Sequence, residues 1–471
     1  TLLSVMVCCS LPAMSEQRLI FFLNLSKIML RTLTSFFVKV AERWMPDPLV
    51  IAILLTLVCY FAALSFTDFT VGQTIDAWGN GYWSLLQFTC QMILILALGH
   101  VVAHTRPVNK LLTSFALRIH SPRMAYVGIT LLAGLFSLFS WGIGLIVPAV
   151  VARIIGKNFR ERGIKVDYPL LVACGYSGTA VGMQGLSASI QLILNTPDHF
   201  LIEKIGLIPL DQTIFSTWSM SIVTANMILL PIAYALAAPD RDSVREMALP
   251  QTNYNQESIK IEENIATPSQ KLENSRWVTF ALGLFAGFYI VRHFLLGGSL
   301  NLNSLNMIFV VLGLLFCDSS KHYVELLSNA AKVAGPFLIQ YPLYAGLMGI
   351  MASSGLGELF VEGFVHISTV ETLPLLTFAS AAILNIFIPS AGGQWAVQGP
   401  IMIDAALQMG AEIPRIAMSV AIGESWTNAI QPLYAVPVLA IAGLHIRDIM
   451  GYCVIALLVH GTVYLTALTF F

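Results

Sequence analysis

The sequence predicts an all-α protein that crosses a membrane several times. Hydrophobic residues make up 56% of the 471-residue chain and charged residues only 11%, whereas a soluble domain carries about 25% charged residues. One long hydrophilic stretch, 239–275, separates two groups of apolar segments. These segments have spanning or nearly spanning length and lie at 48–66, 83–103, 124–152, 168–194, 216–238, 277–296, 303–317, 334–353, 372–403, 416–442 and 449–470.

The composition also excludes several function classes. The 25 basic and 26 acidic residues nearly cancel, so nothing indicates a nucleic-acid surface. The seven cysteines are scattered and form no CxxC pair, and we therefore expect neither a bound metal nor a cofactor. No GxxxxGK[ST], HExxH or GxSxG motif is present, so neither an ATP-driven pump nor an intramembrane enzyme is expected.

The first 28 residues do not follow the apolar pattern. Polar residues such as Glu16 and Lys27 interrupt them, and they never reach the roughly 20 apolar residues that a span needs. We expect residues 1–28 to be a leader outside the folded protein, with translation starting at Met14 or Met29. The basic amphipathic segment that follows predicts a helix on the inner membrane face.

Lysine and arginine residues in the short loops set the orientation. They place the N-terminus in the cytoplasm, the loop 67–82 outside, and the loops 104–123 and 153–167 both inside. The segment 124–152 therefore starts and ends on the cytoplasmic side, although its 29 residues are too few for two crossings. We interpret it as a re-entrant hairpin that turns near Ser140–Gly144; a single kinked span is the alternative.

A second interrupted segment, 372–403, has acidic flanks and predicts a hairpin that enters from outside. Each half of the chain then contains a span, a span, a hairpin, a broken span and a span. A shift of 248 residues superimposes several residues of the two halves, and these pairs are Phe139 with Phe387, Gly144 with Gly392, Ala173 with Ala421, Gly175 with Gly423 and Ser177 with Ser425.

The predicted fold is an inverted-repeat secondary transporter with about nine transmembrane helices and two re-entrant hairpins. The span at 277–296 lies between the halves and inverts the second copy. The predicted units are a membrane repeat at 29–238, a cytoplasmic linker at 239–276, an extra span with its loop at 277–302, and a second membrane repeat at 303–471.

Glycines, hydroxyls and amides in the hairpins and broken spans indicate a ligand site. Helix N-termini attract anions there, and free carbonyls attract cations. Neither hairpin core contains Lys or Arg, so a small monocarboxylate fits better than a di- or trianion. Packing by small residues is the alternative for any single Gly or Ser. The candidate substrate-binding residues are Trp141, Gly142, Gly144, Ser177, Thr179, Gln184, Ser390, Gly392, Gly393, Gln394, Trp395 and Gln398.

Glu424 is the strongest candidate for ion coupling. A carboxylate near the middle of a membrane costs roughly 2.5–3.5 kcal/mol on insertion scales, and Glu424 lies inside the apolar segment 416–442. We expect Glu424, Ser425 and Asn428 to hold a coupling cation, either H⁺ or Na⁺. A carboxylate that is hydrogen-bonded only for structure is the alternative.

Seven short motifs stand out in the chain. They are RWMPDP at 43–48, WGIG at 141–144, PSAGGQW at 389–395, QGP at 398–400, GESW at 423–426, AIAGL at 440–444 and RDIMGYC at 447–453. These motifs resemble those of the bacterial short-chain fatty acid transporter family, and the resemblance extends from Met29 to the C-terminus. It has two departures in the second hairpin, where Ala391 and Gln394 replace a glycine and a histidine, and the stretch 175–185 is poorer in glycine and tryptophan.

The resemblance implies an ion-coupled symporter for short-chain monocarboxylates such as acetoacetate and butyrate in the bacterial inner membrane. Its partners would be the substrate, the coupling cation, the surrounding lipid and, as one assembly, a second copy of the chain. A dicarboxylate or amino-acid carrier of the same architecture and a small-anion channel are the alternatives.

Overall fold

The computed structural model describes residues 48–239, 244–247, 267–335, 337–388 and 390–470. The predicted leader at 1–28, the amphipathic helix that follows it, most of the linker 239–276 and Pro389 lie outside these ranges. Within them the chain forms helices joined by short connections and contains no strand, which confirms the all-α prediction.

The described residues of the first half form ten α-helices and end before the linker. Its helices are α1 Pro48–Phe66, α2 Val71–Tyr82, α3 Leu86–Ala103, α4 Arg106–Leu117, α5 Pro122–Phe139, α6 Trp141–Glu161, α7 Tyr168–Ser177, α8 Ser189–Leu194, α9 Ile202–Ile205 and α10 Thr217–Leu236. A 3₁₀ helix, Gly178–Gln184, continues α7, and a shorter one lies at Leu210–Gln212.

The second half follows the linker and two further helices. These are the short α11 Pro268–Glu273 and the extra apolar helix α12 Arg276–Leu295. The remaining helices are α13 Leu302–Phe316, α14 Ser320–Ala334, α15 Phe337–Ser354, α16 Leu356–Ile367, α17 Leu373–Phe387, α18 Ala391–Met409, α19 Ile413–Asn428, α20 Pro432–Ala442 and α21 Ile446–Phe470.

Six helices in the described residues, α3, α5, α6, α10, α12 and α21, are long and apolar enough to cross a membrane. The pair α15 and α16 also passes this test together, with a bend of 78° at Gly355. The helices α2 and α4 are too polar and too short to span, and they occupy segments that the sequence analysis treated as loops. The six long apolar helices make the chain a multi-pass membrane protein.

Helices α5 and α6 form a tight helical hairpin around Ser140, hereafter hairpin 1. Ser140 is the one non-helical residue between them, and its hydroxyl accepts a hydrogen bond from Ile143 N at 3.5 Å. A Cβ on Gly144 would lie 2.5 Å from Ser137 Cα in the other arm, so only glycine permits this approach.

The arms of hairpin 1 are longer than predicted. Arg162 Nη1 lies 3.5 Å from His120 Nδ1, so the two open ends of the hairpin meet. The arms contain 18 and 21 residues, and each has the length of a span. The predicted boundary at residue 152 was wrong, because α6 continues through the basic residues Arg153 and Lys157 to Glu161. The depth of the turn in the membrane stays a prediction.

Helices α17 and α18 form hairpin 2, which turns at residues 388–390. The hydroxyl of Ser390 caps α18 by accepting a hydrogen bond from Gly393 N at 3.4 Å. Side chains of α18 tie the two arms together, since Gln394 Nε2 donates to Ala381 O at 3.0 Å and Gln398 Nε2 donates to Ser380 Oγ at 2.9 Å.

Each hairpin is followed by a helix that breaks where the sequence predicts an interruption. In the first half α7 gives way to the 3₁₀ helix Gly178–Gln184 before α8 begins at Ser189. In the second half α19 ends at Asn428 and α20 begins at Pro432. Proline lacks the N–H that would continue the helical hydrogen bonds and is well suited to the first turn of a helix, so Pro432 favours the second break.

The helices of the two halves follow the same order. Five pairs, α2 with α14 through α6 with α18, begin 249 to 251 residues apart, as Trp141 and Ala391 do. The helices α7 and α19 begin 245 residues apart, each behind an acidic N-cap and with proline in its first turn. These correspondences support two repeats, whose inverted orientation stays a prediction.

The structure changes the pairing of residues that a single shift of 248 predicts. Gly178 approaches Thr130 O and the Cβ of Ala133, and Gly423 approaches Phe378 O and the Cβ of Ala381. Gly178, rather than Gly175, therefore corresponds to Gly423. The turn of hairpin 2 is also two residues longer than that of hairpin 1, so Gly142, rather than Gly144, corresponds to Gly392.

The close contact at Gly423 gives a stability prediction. A valine side chain there would collide with the backbone of Phe378, and overpacking of this kind costs about 1–3 kcal/mol. We expect Gly423→Val to lower the melting temperature of the detergent-purified protein, measured by thermal unfolding.

Gly363→Val is the matched control, because Gly363 lies in helix α16 with no atom within 4 Å of the position that its Cβ would take. Equal melting temperatures for the two variants would contradict the packing contact at Gly423.

Candidate functional site

Four buried polar side chains surround the break between α19 and α20. They are Asn385, Glu424, Asn428 and Gln431, with exposed fractions of 0%, 1%, 4% and 4%. Asn428 Nδ2 donates to Glu424 Oε1 at 2.7 Å. Asn385, from the first arm of hairpin 2, donates through Nδ2 to Glu424 O at 3.0 Å and to Asn428 Oδ1 at 2.8 Å. The carboxylate thus accepts a hydrogen bond from Asn428 of its own helix, and hairpin 2 holds the backbone carbonyl of Glu424 and the side chain of Asn428.

Gln431 connects the break to the end of the same hairpin arm. Its Nε2 donates to Asn385 O at 3.2 Å and to Ile386 O at 3.3 Å. Thr427 Oγ1 adds a contact to Ala382 O at 3.1 Å. These donors satisfy carbonyl groups near the end of α17, where intrahelical partners run out.

The two broken helices cross at this point. Tyr176 Oη donates to the backbone carbonyl of Asn428 and, at 3.2 Å, to that of Gln431. Ser425 Oγ donates to Ala180 O in the 3₁₀ segment at 2.7 Å. Thr179 and Glu424 hold corresponding positions 245 residues apart, so the acidic group has a hydroxyl as its counterpart in the first half.

The helix ends give the site a mixed electrostatic character. The C-terminus of α19 carries partial negative charge, and the N-terminus of α20 carries partial positive charge. Both meet at residues 429–431, next to Glu424. The arrangement is therefore suited to a cation on one side of the break and to an anionic group on the other.

The turns of the two hairpins contact different parts of the protein. At hairpin 1, Trp141 N donates to Ser187 Oγ at 2.8 Å, which fixes the turn to the connection before α8. At hairpin 2, Gly392 and Gly393 lie against the aromatic rings of Phe88 and Tyr344. Tyr341 Oη is 2.9 Å from Ser390 Oγ. The predicted glycines permit close packing at both turns.

Several predicted substrate-binding residues do not direct their side chains to Glu424. Ser177 Oγ accepts from Tyr234 Oη at 2.6 Å, and Gln184 Nε2 is 3.4 Å from Ser219 Oγ; both partners belong to α10. Gln394 and Gln398 hold the arms of hairpin 2 together, and Gln394 Nε2 also donates to Gln398 Oε1 at 2.9 Å. Trp395 is fully buried and packs over Gly399.

The sequence analysis missed three residues of the site. Asn385 lies three residues before the turn of hairpin 2, Gln431 directly precedes the proline that starts α20, and Tyr176 lies in the last turn of α7. The available signal was position: each is a polar group in an apolar segment, close to a helix end. Their convergence on Glu424 depends on tertiary packing and has no sequence pattern.

A small cavity of about 120 Å³ lies on the far side of the aromatic residues that cover the turn of hairpin 2. Phe88 lines this cavity and stacks on Tyr341 with ring centroids 5.5 Å apart. The lining also includes Gln87, Asp198 and His199. The cavity is therefore lined by both polar and apolar side chains, and Phe88 connects it to the aromatic residues at the turn of hairpin 2.

Comparisons with known proteins agree with this architecture. The sequence profile described as short chain fatty acid transporter matches residues 29–471. Two proteins assigned as short-chain fatty acid transporters are similar over nearly the whole chain. One, from Escherichia coli (strain K12), is 36% identical over 448 residues, covering 94% of this chain and 100% of that protein. The other, from Haemophilus influenzae, is 33% identical over 454 residues with the same coverage.

Two solved structures are similar in fold. The YdaH transporter of Alcanivorax borkumensis has a TM-score of 0.56 and 16% identity, covering 89% of this chain and 98% of that one. The MtrF efflux pump of Neisseria gonorrhoeae has the same TM-score and identity, covering 93% and 97%. At this identity the similarity shows a shared transporter fold and nothing further about the substrate.

Proposed function

We propose, from the premise that the chain belongs to the short-chain fatty acid transporter family, that it is an ion-coupled symporter for a short-chain monocarboxylate. Acetoacetate and butyrate are the substrates that we expect, and the bacterial inner membrane is the location. The N-terminus would face the cytoplasm. Membership of this family makes the chain a transporter rather than an enzyme.

The observation that carries the proposal is the buried Glu424 at the crossing of two broken helices. A carboxylate with 1% exposure in an apolar helix is costly unless a cation or proton shares its site. The neighbouring helix N-terminus offers dipole stabilisation to a substrate carboxylate. One cation and one anion in adjacent positions give the simplest basis for symport.

The charge of the surroundings favours a substrate with one negative charge. The stretches 137–152, 173–196, 380–403 and 416–442 contain no Lys or Arg, and Glu424 is their one charged residue. Helix dipoles and neutral donors are each equivalent to a fraction of a charge, which suits a monoanion. A di- or tricarboxylate would leave negative charge without a partner in an apolar setting.

Unequal positions of the two hairpins support alternating access. Gly142 faces Leu96, ten residues after the start of α3. Its counterpart Gly392 faces Tyr341, four residues after the start of α15. The two turns thus contact their partner helices at different positions. An exchange of these two positions would open the site to the opposite side.

Uptake into proteoliposomes tests the proposed function. We expect labelled butyrate to accumulate when a Na⁺ or pH gradient is imposed, and unlabelled acetoacetate to compete. Glu424→Gln should remove the stimulation by the ion gradient and lower uptake by on the order of tenfold, the factor that corresponds to 1.4 kcal/mol.

The matched control is Glu362→Gln, an exposed glutamate of α16, which should leave uptake unchanged. Competition by dicarboxylates or amino acids instead of C2–C6 acids would overturn the substrate class. Conductance without saturation would indicate a channel.

A disulfide lock tests the movement of hairpin 1. A Cβ on Gly99 would lie 3.4 Å from Ser140 Oγ, so the double variant Gly99→Cys with Ser140→Cys should form a disulfide under oxidation. We expect oxidation to abolish butyrate uptake and a reductant to restore it, because the hairpin can no longer change position against α3.

Thr377→Cys with Met402→Cys is the control, since these side chains join the two arms of hairpin 2 at 3.4 Å and would move together. Undiminished uptake by the fully oxidised Gly99–Ser140 pair would contradict the movement.

A further inference from the structure

Three buried oxygens around Glu424 have no hydrogen-bond partner among the described residues. They are Glu424 Oε2, Asn385 Oδ1 and Gln431 Oε1, and their side chains are at most 4% exposed. A buried acceptor without a partner costs about 1–3 kcal/mol. Three such atoms within one hydrogen-bonded cluster therefore require an explanation.

The orientation of the three amides is fixed by their neighbours. Asn385 Nδ2 and Gln431 Nε2 each face backbone carbonyl oxygens, and Asn428 Nδ2 faces the carboxylate. A flipped amide would place oxygen against an acceptor, so the nitrogen and oxygen positions follow from the contacts rather than from convention. The unpartnered atoms are consequently acceptors and not misplaced donors.

The amide donors of the cluster are already engaged. Asn385 Nδ2 donates hydrogen bonds to Glu424 O, Thr427 Oγ1 and Asn428 Oδ1. Gln431 Nε2 donates to two backbone carbonyls of α17. The cluster is left with an excess of lone pairs. The partial negative charge at the C-terminus of α19 adds to this excess of negative potential. Such a surplus of acceptors calls for a positively charged ligand.

A metal cation fits this surplus better than a proton. A proton on Glu424 Oε2 converts one acceptor into one donor, which satisfies at most one of the two amide oxygens. A cation with oxygen ligands takes several oxygens at once. The single carboxylate balances one positive charge, and no group of three or more His, Cys, Asp or Glu that would hold a metal ion occurs in the described part of the chain.

We propose that Glu424 Oε2, Asn385 Oδ1 and Gln431 Oε1 are ligands of one monovalent cation of the Na⁺ class. Asn385 belongs to hairpin 2, Glu424 to α19, and Gln431 to the connection before α20. The bound ion would join these three segments and would fix hairpin 2 against the break. Its role as the coupling ion rests on the proposed function, whereas the site itself does not.

Thermal unfolding of the purified full chain tests the site without transport. A ligand that binds the folded state raises the melting temperature with its concentration. We expect NaCl to raise the melting temperature over choline chloride at equal ionic strength and constant pH, with KCl less effective. Gln431→Leu and Glu424→Gln should weaken the apparent affinity for Na⁺ by at least about tenfold.

Two further variants separate loss of a ligand from loss of the fold. Gln431→Glu keeps an oxygen in place and should retain or strengthen the Na⁺ effect. Asn306→Leu removes a buried amide whose Oδ1 also has no partner in the described residues but which contacts α3 at Gln91 O. It should keep the Na⁺ dependence of the wild-type protein.

Three outcomes would overturn the site. These are a melting temperature that depends on ionic strength alone, a dependence on pH without one on Na⁺, and a Na⁺ effect that survives unchanged in both Gln431→Leu and Glu424→Gln. Na⁺ binding without uptake of any short-chain acid would instead refute the proposed function and leave the site intact.

Discussion

Backbone groups that lose their helical partners inside an apolar fold are the constraint on which this structure depends. Without water, each unsatisfied N–H or C=O costs several kcal/mol. The chain breaks its helices at Ser140, 178–188, 388–390 and 429–431. At Ser140 and Ser390 a hydroxyl caps the following helix. At the other two breaks, the donors come from segments distant in sequence.

This exchange of donors makes the hairpins and the broken helices interdependent. Leu186 N donates to Leu138 O at 2.6 Å, so the connection after the 3₁₀ helix is held by hairpin 1. Gln431 Nε2, in the break after α19, donates to the backbone carbonyl of Asn385 near the turn of hairpin 2. Tyr176 Oη, from the first half, donates to the backbone carbonyl of Gln431 at the break in the second half. Polar groups thus accumulate where the helices are interrupted, and the proposed ligand site lies at one of these interruptions.

The similar order of helices in the two halves allows one architecture to hold two different environments. Glu424 has Thr179 as its counterpart, and the hairpins contact their partner helices at different positions. Two halves with a similar order of helices, but with different hairpin positions and different polar groups, are suited to a transport cycle with two states. The difference between the two environments lies in a few side chains and in where each hairpin packs, so the proposed cycle does not require the fold to change.

The sequence predicted the helical class, both hairpin turns and both broken helices, and the family motifs predicted the transporter family. It also singled out Glu424, whose role stays a prediction. Each of these signals is local. Glycine and proline weaken a helix through their own backbone geometry, and an acidic residue in an apolar segment is conspicuous without a structure. Boundaries were less certain, because the charged residues at 153–161 belong to a helix that extends beyond its apolar part.

Tertiary structure decided the correspondence between the halves and the composition of the site. A gap-free comparison cannot detect a turn that is two residues longer, so it paired Gly175 with Gly423 where packing pairs Gly178. Asn385, Tyr176 and Gln431 gather at the helix break beside Glu424 only because two helices cross and a hairpin arm packs beside them. The sequence by itself determined where the two hairpins turn and where the helices that follow them break. Which side chains gather at those interruptions depends on contacts between segments up to 255 residues apart, and no local pattern records them.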